Sequence, residues 1–345
     1  MKKNIFIIAL LSMAVLCTGC SQILNRVAES QAKQAMEFRQ ELFQEDEINI
    51  VLCGTNAPVP NPDRAEACTA IFVNGEMLLF DAGDRALTSI GKLRLPVDKL
   101  SAIFVTHLHD DHIIEVGNVI HRSWMWGRAN IVKVFGPKGT ENVMDGFNKI
   151  YERDRIYRRD HHGVDIINPK YSYADTKDIV TPELNKLVTV YKNGDLTVSA
   201  YVAEHEPISP ALGYRVEYKG KVIVISGDTT GEGSMAKYAK NADVLISELM
   251  NMEIMARAEK ALLKVGKPRL SKLSKDIQDY HIGPEELGKI AQKANVKTLM
   301  LTHLVPGISG NRLLNNFMFK WPVAEHYDGE IIVGKDGTEH TIKLN

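Results

Sequence analysis

From residue 48 onward the apolar residues fall into short runs: "INIVLC", "TAIFV", "MLLFDAG", "AIFVTH", "IVKVFGP", "LTVSAYVAEH", "LGYRVEY", "KVIVISGDT", "DVLISEL", "KTLMLTH" and "EIIVG". Runs of this length, rich in β-branched residues and bounded by Gly, Pro, Asn or Asp, predict strands. Between them, helical spacing predicts helices over 85–93, 138–151, 235–241, 285–294 and 312–320. Both hairpin-like and crossover-like connections occur, and there is no tandem repeat or low-complexity segment, so the pattern predicts a layered α/β arrangement in one domain. Residues 21–47 read differently. Leu24, Val27, Ala35, Phe38 and Leu42 are separated by Gln, Glu and Lys, the pattern of a polar, weakly amphipathic helix that serves as a spacer.

The N-terminus changes this picture. Lys2 and Lys3 precede an apolar run over 5–16, too short to span a bilayer and proportioned like the core of a signal peptide. The run ends in "VLCTGCSQ", where Gly19-Cys20 resembles the processing site of bacterial lipoproteins, although Cys17 stands where that pattern usually has leucine. The resemblance implies a signal peptide over 1–19, a lipidated Cys20 with a spacer over 20–47, and a domain over 48–345 held at the cell envelope, on the periplasmic face of a bacterial membrane. Of the four cysteines, Cys53 and Cys68 remain in the mature domain, on two predicted strands that a hairpin-like connection could place side by side; a disulfide and two buried thiols are both compatible with this. With 42 basic and 43 acidic residues the chain carries a formal charge of -1, so no global attraction to nucleic acid or to an anionic membrane is implied, and any anion binding must be local.

The candidate chemistry sits at strand ends, where His107, His205, Asp228 and His303 each close an apolar run. The densest stretch is "FVTHLHDDHIIEVG". His107 and His109 alternate with Leu108, so in an extended segment both imidazoles point the same way; Asp111 and His112 follow in a tighter turn and can face a second ion. Together with His205, Asp228 and His303 they make seven candidate ligands, all nitrogen or oxygen donors. Such a set suits two Zn²⁺ ions and leaves Fe or Mn open.

"THLHDDH" resembles the metal-binding signature of the metallo-β-lactamase superfamily, with His107, His109, Asp111 and His112 on the matching positions and Asp110 on a variable one. "LCGTNAPVPNPDR", "FDAGD", "EHEPISPALGYRVE", "SGDT" and "LTHL" resemble further segments of its ribonuclease Z and arylsulfatase-like branch. The resemblance implies a four-layer αββα sandwich, one ion held by His107, His109 and His205, the other by Asp111, His112 and His303, and Asp228 between them beside a shared hydroxide. In "DYHIGPEELGKIAQKA", His281 precedes a helix start marked by Gly283, Pro284, Glu285 and Glu286, and matches a histidine that donates a proton to the leaving group in that branch. Asp111 and His281 are thus the expected catalytic side chains.

Two departures bear on substrate. Only 23 positions separate His205 from Asp228, which leaves no room there for the long arm with which ribonuclease Z grips tRNA, and "HDDHIIEVG" carries Ile114 and Glu115 where glycine and leucine are common. Glu115 is open to two readings, lining the pocket or capping the packing. The segment "YERDRIYRRDHHG" reads as a solvated basic helix or, if folded over the metal edge, as a cap that could hold an anion through Arg153, Arg155, Arg158 and Arg159. The expectation is a dinuclear hydrolase of a small anionic ester, a phosphodiester or an aryl or alkyl sulfate, with tRNA not expected as a partner and a homodimer left open. Alternatives are a lactonase, a β-lactamase-type hydrolase, or a lipid-anchored binding protein without turnover.

Overall fold

The computed structural model describes residues 21–32, 37–231, 233–308 and 311–344. The signal segment and the expected lipid site at Cys20 lie outside the described residues. Among those described, no helix is long and apolar enough to cross a membrane. A first helix, α1, covers 21–32 with every residue exposed. The expected helix over 21–47 does not run its full length. A compact unit begins at Gln40, where a single 3₁₀ turn buries Leu42, and the Phe43 ring meets the edge of Phe72 at 5.5 Å. Leu42, assigned by spacing to a helical stripe, is instead recruited by the larger core.

That core lies between two seven-stranded mixed sheets. The first runs β14 (Thr338–Lys343), β1 (Glu47–Gly54), β2 (Cys68–Val73), β3 (Glu76–Phe80), β4 (Leu100–Phe104), β5 (Val132–Gly136), β6 (Ala174–Asp178). The second runs β13 (Glu330–Val333), β12 (Thr298–Val305), β11 (Val244–Met250), β10 (Lys221–Ile225), β9 (Ala211–Tyr218), β8 (Leu196–Ala203), β7 (Val188–Asn193). Neighbours from β3 to β6 and from β10 to β13 are parallel, and parallel neighbours need a crossover, so the helices fall in those intervals. They are α2 (Ala86–Lys92), α3 (Asp110–Ile113), α4 (Val116–Met125) and α5 (Thr140–His162) on the first sheet's connections. On the second they are α6 (Ser234–Tyr238), α7 (Met252–Lys264), α8 (Pro268–Asp276), α9 (Pro284–Lys293), α10 (Arg312–Asn315) and α11 (Trp321–Ala324).

Alternation along the second sheet shows why its strands read as unbroken apolar runs. Ile223, Ile225, Val244, Ile246 and Met300 face the other sheet, while Val224, Leu245, Leu249, Leu299 and Leu301 face α6, α9 and α11. Both faces are covered. Cys53 and Cys68 form a disulfide between β1 and β2, with Cα atoms 5.0 Å apart.

The expected helix over 312–320 forms and continues to Ala324, but it is not α throughout. Residues Asn316–Lys320 form a π turn between α10 and α11. Pro322 has no N–H to give the carbonyl four residues back, at Met318, and Asn251 Nδ2 takes that carbonyl at 2.5 Å.

Candidate metal centre

The site forms where β4, β10 and β12 end on one edge of the sandwich. After β4 the chain stays extended through His107 and His109, then turns into α3, which carries Asp111 and His112. Asp81, just past β3 and in the left-handed region at φ 58°, organises this turn. Its carboxylate accepts from Thr106 N and Thr106 Oγ1 at 2.8 Å each and from His112 Nδ1 at 2.8 Å. Gly83 lets the turn close: a Cβ there would lie 1.9 Å from the Asp111 carbonyl oxygen.

The other expected residues arrive separately. His205 lies in the loop after β8, its Nδ1 donating to the Tyr280 carbonyl at 2.8 Å. Asp228 follows β10. His303 lies within β12, at a bulge: Glu248 pairs with Thr302 and Leu249 with Leu304, which leaves His303 as the extra residue, at φ 44°. A bulge re-aims a side chain out of the ladder, and a non-glycine residue in this region costs about 1–3 kcal/mol of backbone strain that the surrounding sheet must offset.

All seven expected ligands converge. Donor atoms of His107, His109 and His205 lie within 4.8 Å of one another, as do those of Asp111, His112 and His303. Asp228 stands between the two groups, its Oδ2 3.4 Å from His112 Nε2, 3.5 Å from His303 Nε2 and 4.0 Å from His107 Nε2. All but His109 are buried.

The residues fit divalent cations. Buried polar atoms are almost always hydrogen-bonded, yet His112 Nε2 and His205 Nε2 have no hydrogen-bond partner among the described residues, while the opposite nitrogen of each ring is held by Asp81 or by the Tyr280 carbonyl. His107 Nε2 and His109 Nδ1 face each other at 2.9 Å, as two donors do when aimed at one point. Burial pushes His107 well below the ordinary histidine range and His205 down to about 4, so both rings are neutral, the form that ligates metal. Burial also opposes charge on Asp111 and Asp228, but the neighbouring histidines overcome it and hold both carboxyls below their usual range. His112 and His303 move the other way. Burial opposes their protonation, yet the aspartates raise both, His303 to about 9. Two ionised carboxylates in a buried pocket call for positive charge, which cations held by this cluster would supply.

His281 joins this cluster, its Nδ1 3.9 Å from Asp228 Oδ2 and bonded to both oxygens of Glu248 at 2.9 and 2.8 Å. Glu248, buried in β11, also accepts from Thr229 N at 2.8 Å. Burial opposes a proton on His281, but the Glu248 charge and hydrogen bond, with Asp228, raise its affinity for one. Glu248, like Asp81, is a site residue to which the sequence reading gave no role. Its signal was a lone carboxylate inside the apolar run "DVLISEL".

Of the other residues singled out, Glu115 caps: its Oε2 accepts from Leu87 N at 2.7 Å, in the first turn of α2. The basic segment is the C-terminal half of α5, and three of its arginines have local partners: Arg158 with Asp154 at 2.6 Å, Arg159 with Asp160 at 2.7 Å, and buried Arg155 with the Asn148 and Ser172 carbonyls at 3.0 and 3.2 Å.

Comparison with known proteins agrees with this geometry. Residues 77–304 match the family described as beta-lactamase superfamily domain. A ribonuclease Z from Mycobacterium marinum is 31% identical over 296 residues, covering 84% of this chain and 96% of that one. Among solved structures, the metallo-beta-lactamase fold protein YhfI from Bacillus subtilis superposes with a TM-score of 0.60 at 19% identity, over 86% of this chain and 100% of that one. Human tRNase Z, short form, superposes with a TM-score of 0.59 at 20% identity, over 86% and 99%. The matched residues run from β3 to the last expected ligand region and take in every residue of the histidine and aspartate cluster: the chain belongs to the beta-lactamase superfamily, in its ribonuclease Z-like branch, and is a metal-dependent hydrolase.

Proposed function

We propose that the chain hydrolyses a small phosphodiester at the cell envelope with two zinc ions, His107, His109 and His205 holding one, Asp111, His112 and His303 the other, and Asp228 bridging. The observation that carries this reading is the pairing of His281 with buried Glu248 on the rim of a cluster of seven convergent donors. When bound, the paired ions supply an activated water and positive charge against the ester's oxygens. Glu248 holds the Nδ1–H of His281 and favours its protonated form, leaving Nε2 to give a proton to the departing oxygen. Thr229, which binds the same carboxylate, fixes this dyad to the loop that carries Asp228.

Ribonuclease Z relatives act on RNA by name, which supports a phosphodiester over a sulfate ester. A small substrate is supported by the interval between His205 and Asp228, which holds only a loop and the hairpin of β9 and β10, joined through Lys219 and Gly220. The lipoprotein-like Gly19-Cys20, read as an export signal, supports a substrate other than tRNA.

The test is a hydrolysis panel on zinc-loaded protein: phosphodiester, aryl sulfate, lactone, β-lactam and a tRNA precursor. Turnover of the phosphodiester, lost on chelation, is expected; turnover confined to any other member would overturn the reading. His281→Ala should slow an alkyl phosphodiester by on the order of a hundredfold to ten-thousandfold, leave a nitrophenyl ester much less affected, and leave metal content unchanged.

A further inference from the structure

The interval between β11 and His281 contains a helical hairpin, α7 and α8, that the metal centre does not use. Its second helix is inverted for a surface helix in water. Ser271 is the buried side chain of α8, its Oγ donating to the Glu259 carbonyl of α7 at 2.9 Å, while Leu270 and Leu273 stand 47% and 50% exposed. At the tip Leu263 and Val265 are 54% and 67% exposed. Only the base of the hairpin is anchored, through Met252, Met255 and Ile277 packed against Ala57, Met250 and Val305.

Charge follows the same surface. Residues 252–276 hold seven basic and three acidic side chains in a chain of net charge -1. Arg257 pairs with Glu253 and Lys272 with Asp276; Lys264, Lys267 and Arg269, around the tip, make no ion pair among the described residues. Exposed leucines interleaved with lysines fit an apolar layer bounded by negative charge.

We propose that the α7–α8 hairpin is an interfacial element that inserts its leucine tip into an anionic phospholipid bilayer. A second copy would bring the same cationic tip against itself, and like charges oppose that contact. Single-stranded RNA is bound by stacking on aromatic side chains, and residues 252–276 contain none. Both features therefore favour lipid. The hairpin leads through the turn Ile277–Asp279 directly to Tyr280, whose carbonyl holds His205, and to His281, so a docked tip sets the site beside the membrane surface. This inference does not depend on the substrate named above.

The experiment uses the full chain with Cys20→Ala, so that no attached lipid contributes, and measures co-sedimentation with vesicles of phosphatidylglycerol and phosphatidylcholine against phosphatidylcholine alone. Binding to the anionic vesicles is expected. The triple change Lys264→Gln, Lys267→Gln, Arg269→Gln should weaken it on the order of a hundredfold, at roughly fivefold per cation near the surface. Leu270→Asn with Leu273→Asn should weaken it about tenfold or more, with turnover of a soluble substrate and the circular dichroism spectrum unchanged. No vesicle binding, equal binding by the variants, or a dimer or RNA complex that these same substitutions abolish would each overturn the proposal.

Discussion

His107, His109, Asp111 and His112 arrive on six consecutive residues after β4, whereas His205, Asp228 and His303 arrive singly, on a loop, a strand end and a bulge. The first group is shaped by local chain geometry and one organiser: extended residues put two imidazoles on one side, a short helix puts a carboxylate and a third imidazole on the other, and Asp81 fixes the turn between them. The second group has no local geometry in common. Its members meet because β10 and β12 of the second sheet end at the same edge as β4 of the first, and because the Tyr280 carbonyl orients His205. A compact motif can thus lose its organiser and keep its ligands, while a dispersed set depends at each position on a different part of the fold.

The substitution expected to break this division most severely is Asp228→Ala, since its carboxylate faces donors of both groups. Metal content, measured by elemental analysis under zinc-replete conditions, should fall from two ions to one or fewer, with activity down more than about a hundredfold, beyond the cost of losing an outer partner. Two retained ions would show that the groups hold metal independently. Asp81→Asn strikes the organiser of the compact motif alone. It should weaken zinc affinity by about ten- to a hundredfold, as outer hydrogen-bond partners of ligating histidines do, and excess zinc should restore activity. Unchanged affinity would mean that the local chain suffices. The smallest effect is expected from Glu115→Ala, close to the motif in sequence but acting as a cap: thermal unfolding should show a loss of about 1 kcal/mol, with zinc content and turnover unaltered. A change in KM would return Glu115 to the pocket.

The same division explains what was legible beforehand. Alternation of His107 and His109, and ligands closing apolar runs, are properties of neighbouring residues, so the sequence displays them. Asp81, although inside the family-like "FDAGD", was given no role and Glu248 was not singled out, because each acts through a partner distant in sequence, His112 and His281, and no local pattern marks a second carboxylate as holding a ring. Eleven strands were readable because burial makes their runs largely uninterrupted, whereas the edge strands β6, β7 and β14 were not, since polar residues on their exposed face interrupt the run. Besides the single turns α3 and α11, three helices were missed. In α4 a motif-rich segment drew attention to its chemistry and hid its periodicity, although Val116, Val119, Ile120 and Trp124 are buried together. In α7 the helical spacing of Ile254, Met255, Ala258 and Leu262 was present but not picked out, while in α8 the inner face is a serine and the leucines point outward. The helix over 312–320 was legible, but its π turn and its continuation to Ala324 were not, since Pro322, which withholds a donor, lies beyond the expected end.

The extra residue in β12 also resets the phase of the strand. Leu299, Leu301 and Leu304 all pack into the outer cluster, although the last two are three positions apart, while Met300 faces the other sheet. A strict two-residue period counted from either end of β12 therefore agrees with the packing only as far as His303, and its parity changes there. In this strand the number of residues carries information that their identities do not. Removing position 303 would restore the alternation and leave the ladder continuous, and the chain would gain a more regular sheet in exchange for a ligand.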